Sequence, residues 1–329
     1  MGMFDPSDDK YWAMGSQLNW WDSTLGYRPA WLTDPTQARQ RLQRRLPLVL
    51  RALALIHEHR TVETSQLHAL DPQLPANPRA LLYMDMASMG LVDVGYPLSI
   101  TGRASGTPGY TPFTAWRLPI HTTIEPVLEQ LGCTPMQTAA IGPGPLRGAR
   151  QYDRHNLMCA TLSITARQHG WRTVGELYGR FSLLTGDPLA GHGGPDVTLI
   201  GEHMRVCVEL TASANFSLTG KFARWDRMLA YEACADTHVV WVNAARTDSL
   251  LTQLEGLCRQ RARHHAADWR VWRDRLETVD GFTPSPGAPR RADGGWAAGE
   301  LARMVSAFGL DGLDGWRIPA MLDPGVLYD

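Results

Sequence analysis

The stretch GGPDVTLIGEHMRVCVELTAS, residues 193–213, limits the possible fold of this 329-residue chain more than any other segment. It predicts a β-hairpin in which strands 196–200 and 205–210 are joined by a Gly-Glu-His corner. Asp196 begins the first strand and Glu209 ends the second. Because the beginning of one hairpin strand lies beside the end of its partner, the two carboxylates are predicted to be neighbours.

Two neighbouring carboxylates on a hairpin indicate a site for a hard divalent cation such as Mg²⁺ or Mn²⁺. Metal-assisted hydrolysis of a phosphodiester needs such oxygen ligands, an activated water and a positive group near the developing charge. The carbonyl oxygen of Leu210 could add a third ligand beside Asp196 and Glu209. The hairpin therefore predicts either a nuclease-like metal centre or a fold that keeps only its shape.

Periodicity and Gly/Pro content divide the chain into five segments. Three helices followed by a two-stranded hairpin predict a winged helix-turn-helix in the first half, and α–β–β–β–α–β–α predicts a mixed-sheet α/β domain in the second. The segments are an irregular arm at 1–36, the winged helix-turn-helix at 37–132, a Gly/Pro-rich linker at 133–151, the α/β domain at 152–280, and a C-terminal loop, short helix and tail at 281–329.

Composition narrows the functional classes. The net charge of −1 means that a nucleic-acid partner must be met by a local basic patch, since the chain has no overall positive field. The five cysteines contain no CxxC pair, which argues against structural zinc. The N-terminus lacks a basic and apolar leader, and no apolar run reaches the ~18 residues of a membrane span. A cytoplasmic protein with reduced thiols is the resulting expectation.

The order of these motifs resembles the PD-(D/E)XK nuclease-like core, and the whole chain resembles the replication-relaxation family of actinobacterial plasmids and integrative elements. The resemblance implies an α+β protein in which a winged helix precedes a PD-(D/E)XK-like domain with a mixed central sheet. The residues that carry it are His155, Trp171, Glu176, Pro195-Asp196, Val206 to Glu209, and Lys221 to Trp225.

The sequence departs from the nuclease pattern two residues after Glu209, where such centres have a lysine and this chain has Thr211. A threonine hydroxyl supplies no positive charge. Lys221, at the start of the next predicted helix, is the candidate substitute, and Glu176 is the candidate outer metal ligand. Each of these residues also has a simpler interpretation. Lys221 could be an ordinary lysine at the start of a helix, Asp196 a carboxylate that stabilises a turn, and Glu209 a solvent-facing residue on an edge strand.

The candidate DNA contacts are arginines in three places. They are Arg79 on the predicted recognition helix 77–89, Arg103 and Arg117 in the wing, and Arg259, Arg263 and Arg270 in a predicted helix over 249–278. On the recognition helix, the negative charge of Asp85 would repel DNA phosphates. The predicted helix over 249–278 also contains acidic residues, so its arginines could instead form salt bridges on the protein surface. Winged helices serve as protein-interaction modules as well, so that alternative stays open.

The resemblance implies a protein that binds double-stranded DNA in plasmid replication or conjugative transfer, nicking or cleaving it if the metal site works. Other replication or transfer proteins, or a second copy in a homodimer, are the further expected partners. Two alternatives remain. One is a non-catalytic scaffold with a degenerate nuclease fold, and the other is a protein-interaction or regulatory module.

Overall fold

The computed structural model describes residues 17–97, 114–141, 153–168, 171–176, 179–191, 193–200, 205–211, 217–235, 237–243, 248–261 and 265–268. Within them the chain is a mixed α/β protein with two sheets and two compact units. The units meet between Ala160 and Thr161 in sequence. This division falls within a helix, whereas the sequence predicts a second domain that begins at residue 152.

The first unit combines helices with a four-stranded sheet in the order β1-β3-β4-β2, and the strand pairs in it are antiparallel. Its elements in chain order are β1 (Leu18–Trp21), α1 (Pro35–Arg44), α2 (Leu46–His59), β2 (Val62–Glu63), α3 (Thr64–Leu70), α4 (Leu81–Ser88), β3 (Asp93–Pro97), β4 (Ala115–Arg117), α5 (Glu125–Leu131) and α6 (Pro135–Ile141).

Local sequence explains where these helices begin. Asp34 caps α1 by accepting the Gln37 amide at 3.0 Å, and Pro47 lies in the first turn of α2. The short helix α3 begins at Thr64 and is capped by Glu63, which forms a reciprocal capping box with Gln66.

Three predictions for the first unit are wrong in part. The N-terminal arm contains β1, which pairs with β3 and buries Trp21. The segment expected to be a linker contains α6. The predicted recognition helix is shorter, since α4 begins at Leu81, and it is buried from Leu82 to Ala87. Asp85 points inward and pairs with Arg41 at 2.7 Å.

The second unit contains a five-stranded mixed sheet in the order β5-β6-β7-β8-β9. The β5-β6-β7 pairs are antiparallel, and the β7-β8-β9 pairs are parallel. Helix α7 (Asp153–Gln168) spans the division between the two units. The elements that follow it are β5 (Arg172–Gly175), α8 (Phe181–Thr185), β6 (Val197–Ile200), β7 (Arg205–Thr211), α9 (Ser217–Leu229), a 3₁₀ turn (Glu232–Cys234), β8 (Thr237–Asn243), α10 (Asp248–Arg259) and β9 (His265–Asp268).

The predicted hairpin is confirmed, with Val197 opposite Val208 and Ile200 opposite Arg205. Its corner at 201–204 lies outside the described residues. Strand β7 is central and buried along its whole length. Phe222 of α9 stacks on Trp241 of β8 with ring centroids 3.8 Å apart, so α9 covers one face of the sheet.

The long arginine-rich helix predicted over 249–278 is wrong. Helix α10 ends at Arg259, and His265–Asp268 forms β9 parallel to β8. The predicted tail at 281–329 lies outside the described residues. Among the helices that the structure describes, none is both long enough and apolar enough to cross a membrane.

Candidate functional site

Asp196 lies beside Glu209, as the hairpin predicted. The Asp196 amide donates to the Val208 carbonyl at 2.9 Å, and Asp196 Oδ2 accepts the Leu210 amide at 2.7 Å. These two bonds bracket Glu209 on the neighbouring strand. Asp196 itself is half-buried, so its carboxylate is fixed by backbone while still reaching the surface. The contact that Leu210 makes is through its amide, whereas the sequence had suggested its carbonyl as a metal ligand.

Glu209 is buried, which contradicts the interpretation that it is a solvent-facing residue on an edge strand. Its strand has neighbours on both sides, and the residue is 4 % exposed. Because side chains alternate along a strand, Glu209 shares the face of Cys207, which belongs to the apolar cluster beneath α9. The carboxylate therefore lies at the border of a hydrophobic core.

Helix α9 supplies a partner for each oxygen of this carboxylate. Lys221 Nζ lies 3.2 Å from Glu209 Oε2, and the Trp225 indole N–H donates to Oε1 at 2.7 Å. The two residues are four apart and so lie on the same face of α9. Lys221 therefore lies near enough to Glu209 to provide the positive charge that Thr211 lacks.

Burial and charge set the protonation of this group. Desolvation raises the pKa of Glu209 to about 7, with Lys221 opposing the rise and the nearby charge of Asp196 adding to it. The Glu209 carboxylate raises the pKa of Lys221 above its usual range, and Asp196 and Glu176 contribute in the same direction. Lys221 therefore keeps its proton at neutral pH.

Glu176 follows β5, whose last residue, Gly175, lies opposite Val197 of β6. The charges of Glu209, Asp196 and Glu176 all raise the pKa of Lys221, and Glu209 is the one whose contact with the ammonium is direct. These acidic side chains come from three adjacent strands or their ends. In the part of the chain that the structure describes, no group of three or more His, Cys, Asp or Glu side chains has the arrangement of a metal site.

Close backbone packing fixes the turn before Asp196. A Cβ on Gly194 would lie 2.7 Å from the Gly179 carbonyl oxygen and 2.9 Å from the Arg180 Cα. Gly193 has φ +104 and its carbonyl accepts the Phe181 amide at 2.9 Å. Glycine is required at both positions, because one is too crowded for a side chain and the other has a left-handed backbone.

Thr211 is 8 % exposed and on the same strand face as Glu209, two residues further on. Its hydroxyl oxygen is buried without a hydrogen-bond partner among the described residues. The position that holds a lysine in the nuclease pattern is therefore an uncharged polar position next to the carboxylates in this chain.

One feature of the site is visible in the sequence but lies outside the motif. Only two of the 32 basic residues, Lys10 and Lys221, are lysines. At position 221 the lysine places a compact ammonium next to Glu209, for which arginine is not an equivalent replacement. Trp225 leaves no such signal in the sequence, because its N–H bond to Glu209 depends on how deeply Glu209 is buried.

The predicted DNA contacts have mixed outcomes. Arg117 is buried against Asp93 at 2.9 Å with its guanidinium 4.1 Å from the centre of the Trp20 ring, so it is not on an exposed wing. Arg79 is exposed in the turn before α4, and Arg259 is exposed with Glu255 Oε2 at 3.9 Å. Arg103, Arg263 and Arg270 lie outside the described residues.

No protein-family model, no curated protein and no solved structure matches this chain.

Proposed function

We propose that this chain binds DNA in the replication or conjugative transfer of a mobile genetic element, and that its second unit hydrolyses a DNA phosphodiester with Mg²⁺ or Mn²⁺. The observation that carries the proposal is the contact of Lys221 with Glu209 at 3.2 Å, beside Asp196. Two carboxylates and a protonated amine are the groups that metal-assisted phosphodiester hydrolysis needs.

The order of elements supports this proposal. The series α7-β5-α8-β6-β7-α9-β8, whose sheet changes from antiparallel to parallel pairing, supports a PD-(D/E)XK-like core with a short helix, α8, inserted between its first two strands. In the first unit, α2-β2-α3-α4-β3-β4 agrees with a winged helix-turn-helix, in which β2 pairs with β4. A fold supports a function only through its site, so the carboxylate-lysine contact has the greater weight.

The donor chemistry fits a hard divalent cation. Carboxylate oxygens are the ligands that Mg²⁺ and Mn²⁺ prefer, and each has two lone pairs, so an oxygen that accepts one hydrogen bond can still coordinate. Asp196 and Glu209 would hold the cation, with Glu176 on its outer side. When bound, such a cation polarises the phosphodiester and lowers the pKa of a coordinated water.

The protein groups would act by position and charge. Lys221 stays protonated, so it stabilises negative charge on the phosphate and orients water, and it does not act as a general base. The Leu210 amide holds Asp196 in place. Because Glu209 has a pKa of about 7, its affinity for a cation falls as pH drops below neutrality.

The test uses supercoiled plasmid and Mn²⁺. Wild-type protein is expected to produce nicked circles, and Asp196→Ala to reduce the rate at least about a hundredfold by removing a ligand and the group beside Glu209. Gel densitometry over time measures the rate. Glu129→Gln is the matched control because it removes an acidic charge from an exposed position of α5 in the first unit. Nicking that is absent from wild type, or equal in wild type and Asp196→Ala, contradicts the proposal.

A non-catalytic DNA-binding scaffold is the second candidate, and one observation favours it. Both oxygens of Glu209 already have donors in a residue that is 4 % exposed. In that case the carboxylate-lysine pair only joins α9 to the sheet. The scaffold predicts DNA binding that weakens steeply with salt, with Glu209→Ala leaving the affinity unchanged in protein that remains folded.

A further inference from the structure

Trp225 has a position that packing alone does not require. It is 1 % exposed, and its ring meets Phe181 edge-on with centroids 5.0 Å apart. Both features would suit a phenylalanine. The indole N–H is the part of the side chain that a phenylalanine lacks, and it donates to Glu209 Oε1 at 2.7 Å. A buried indole N–H without an acceptor is costly, so the two residues depend on each other.

The two oxygens of the Glu209 carboxylate accept from two different kinds of donor. The indole N–H is a donor only, on a rigid ring inside the core, and it fixes Oε1. The ammonium of Lys221 is on a flexible chain that is 42 % exposed, and it approaches Oε2. Oε1 is therefore the anchored oxygen, and Oε2 is the oxygen that faces the exposed amine.

We propose that Trp225 is a positioning residue: its N–H holds Glu209 so that Oε2 is presented to Lys221 and, resting on the proposed function, to the divalent cation. It touches neither substrate nor metal. The hydrogen bond holds the Glu209 carboxylate in one orientation, because its other rotamers would break the contact with Lys221. Groups that orient a metal ligand in this way typically change metal affinity or activity by about 10–100-fold when removed.

A pair of matched variants separates positioning from packing. Trp225→Phe removes the N–H and keeps an aromatic ring against Phe181. Trp116→Phe makes the same chemical change at a buried tryptophan of the first unit, whose indole N–H donates to Thr64 Oγ1 at 2.8 Å. Loss of packing is common to both variants, so only effects specific to Trp225→Phe report on the carboxylate.

The first readout is the reactivity of Lys221 with an amine-acylating reagent, measured by peptide mass spectrometry. Because the chain has two lysines, Lys10 in the same sample is an internal reference. Trp225→Phe is expected to raise the Lys221 rate about fivefold, the factor for one lost hydrogen bond, and Trp116→Phe to leave it unchanged. Glu209→Gln, which removes the ion pair, gives the upper limit.

The second readout is the nicking reaction, where Trp225→Phe is expected to lower kcat about 10–100-fold with little change in KM. Equal Lys221 labelling in the two tryptophan variants overturns the inference. If wild type does not nick, the proposed function fails, and the labelling alone still decides the positioning. Should Trp225→Phe not fold, benzothienylalanine at position 225 keeps the two-ring volume, lacks the N–H and gives the same comparison.

Discussion

Glu209 combines a buried position, an ammonium on one oxygen and an indole N–H on the other. Burying an ion pair costs desolvation energy that its attraction only partly recovers, and apolar replacements of such pairs are often neutral or stabilising. The presence of the Glu209–Lys221 pair at the central strand β7 is therefore weak evidence that the pair stabilises the fold. A functional role for the pair explains better why this position is not another valine or leucine.

The raised pKa of Glu209 has a consequence for stability that can be measured. A side chain with an ordinary pKa near 4.5 and a folded pKa of about 7 binds more protons in the folded state between these values. Its contribution to stability is complete below pH 4.5 and is lost as pH rises through 7. We expect wild type to lose roughly 3 kcal/mol relative to Glu209→Gln across this window.

Urea denaturation of both proteins from pH 4 to 8.5 measures this difference. Glu63, whose pKa burial also raises to about 7, titrates in both proteins and cancels. A difference between the two proteins that stays constant with pH, or that grows in favour of wild type, contradicts the expectation.

Residue-level prediction from sequence succeeded where the information was local. The proximity of Asp196 and Glu209 follows from hairpin geometry alone. The burial of Glu209 could not be predicted, because it depends on β8, which pairs with β7 only after a helical crossover. Lys221 could be named as the substitute for a lysine at Thr211, but its contact with Glu209 depends on how α9 packs on the sheet.

At the scale of elements, the site depends on how β6 is held at its start. The Gly193-Gly194 pair lets the chain before Asp196 pack against the backbone at residues 179–181. This contact joins the β6 entry to the start of α8. The packing of residues 193–194 on residues 179–181 therefore sets the position of the Asp196 carboxylate.

Replacing Gly194 by alanine is expected to destabilise the protein by about 1–3 kcal/mol, since a Cβ would overlap the Gly179 carbonyl and force backbone movement. Gly256→Ala is the matched control. Nothing lies within 4 Å of a Cβ at Gly256 in α10, so alanine there should stabilise by about 0.5–1 kcal/mol. Chemical denaturation measures both, and changes of the same sign in the two variants would contradict the packing argument.

The elements that sequence reasoning missed share a physical cause. Strand β1 pairs with β3, more than 70 residues later, and its LNWW sequence carries no alternation. Strand β9 has the sequence HAAD, whose alanines favour a helix, yet it pairs with β8. In both, partners distant in sequence outweigh the local preference. The hairpin and α9, with strong periodicity, were predicted within a few residues.

At the scale of the whole molecule, the first unit contains two ion pairs that differ in burial. Arg117 and Asp93 form an ion pair at 2.9 Å with side chains 5 % and 1 % exposed. Arg51 and Asp71 are paired at the same distance with side chains 27 % and 14 % exposed. Removing one partner of a buried pair leaves a charge without compensation, so the first pair should matter far more.

We expect Asp93→Ala to lower stability by about 3–5 kcal/mol and Asp71→Ala by under about 1 kcal/mol. Hydrogen-exchange mass spectrometry is the suitable measurement because it reports on each unit separately. Protection should fall in β3 and β4 and stay unchanged in β7 and β8. An equal loss of protection in both units would show that they unfold as one.

The change from antiparallel to parallel pairing at β7 also sets an order of assembly. The β6-β7 hairpin closes over a few residues, so Asp196 and Glu209 meet early. Pairing of β7 with β8 requires α9 to form and cross over, which is slower. The two like charges are therefore expected to come together before Lys221 reaches them. Docking of α9, which brings Lys221 to the carboxylates, is expected to follow, and acidic conditions that protonate the carboxylates should make the first of these events easier.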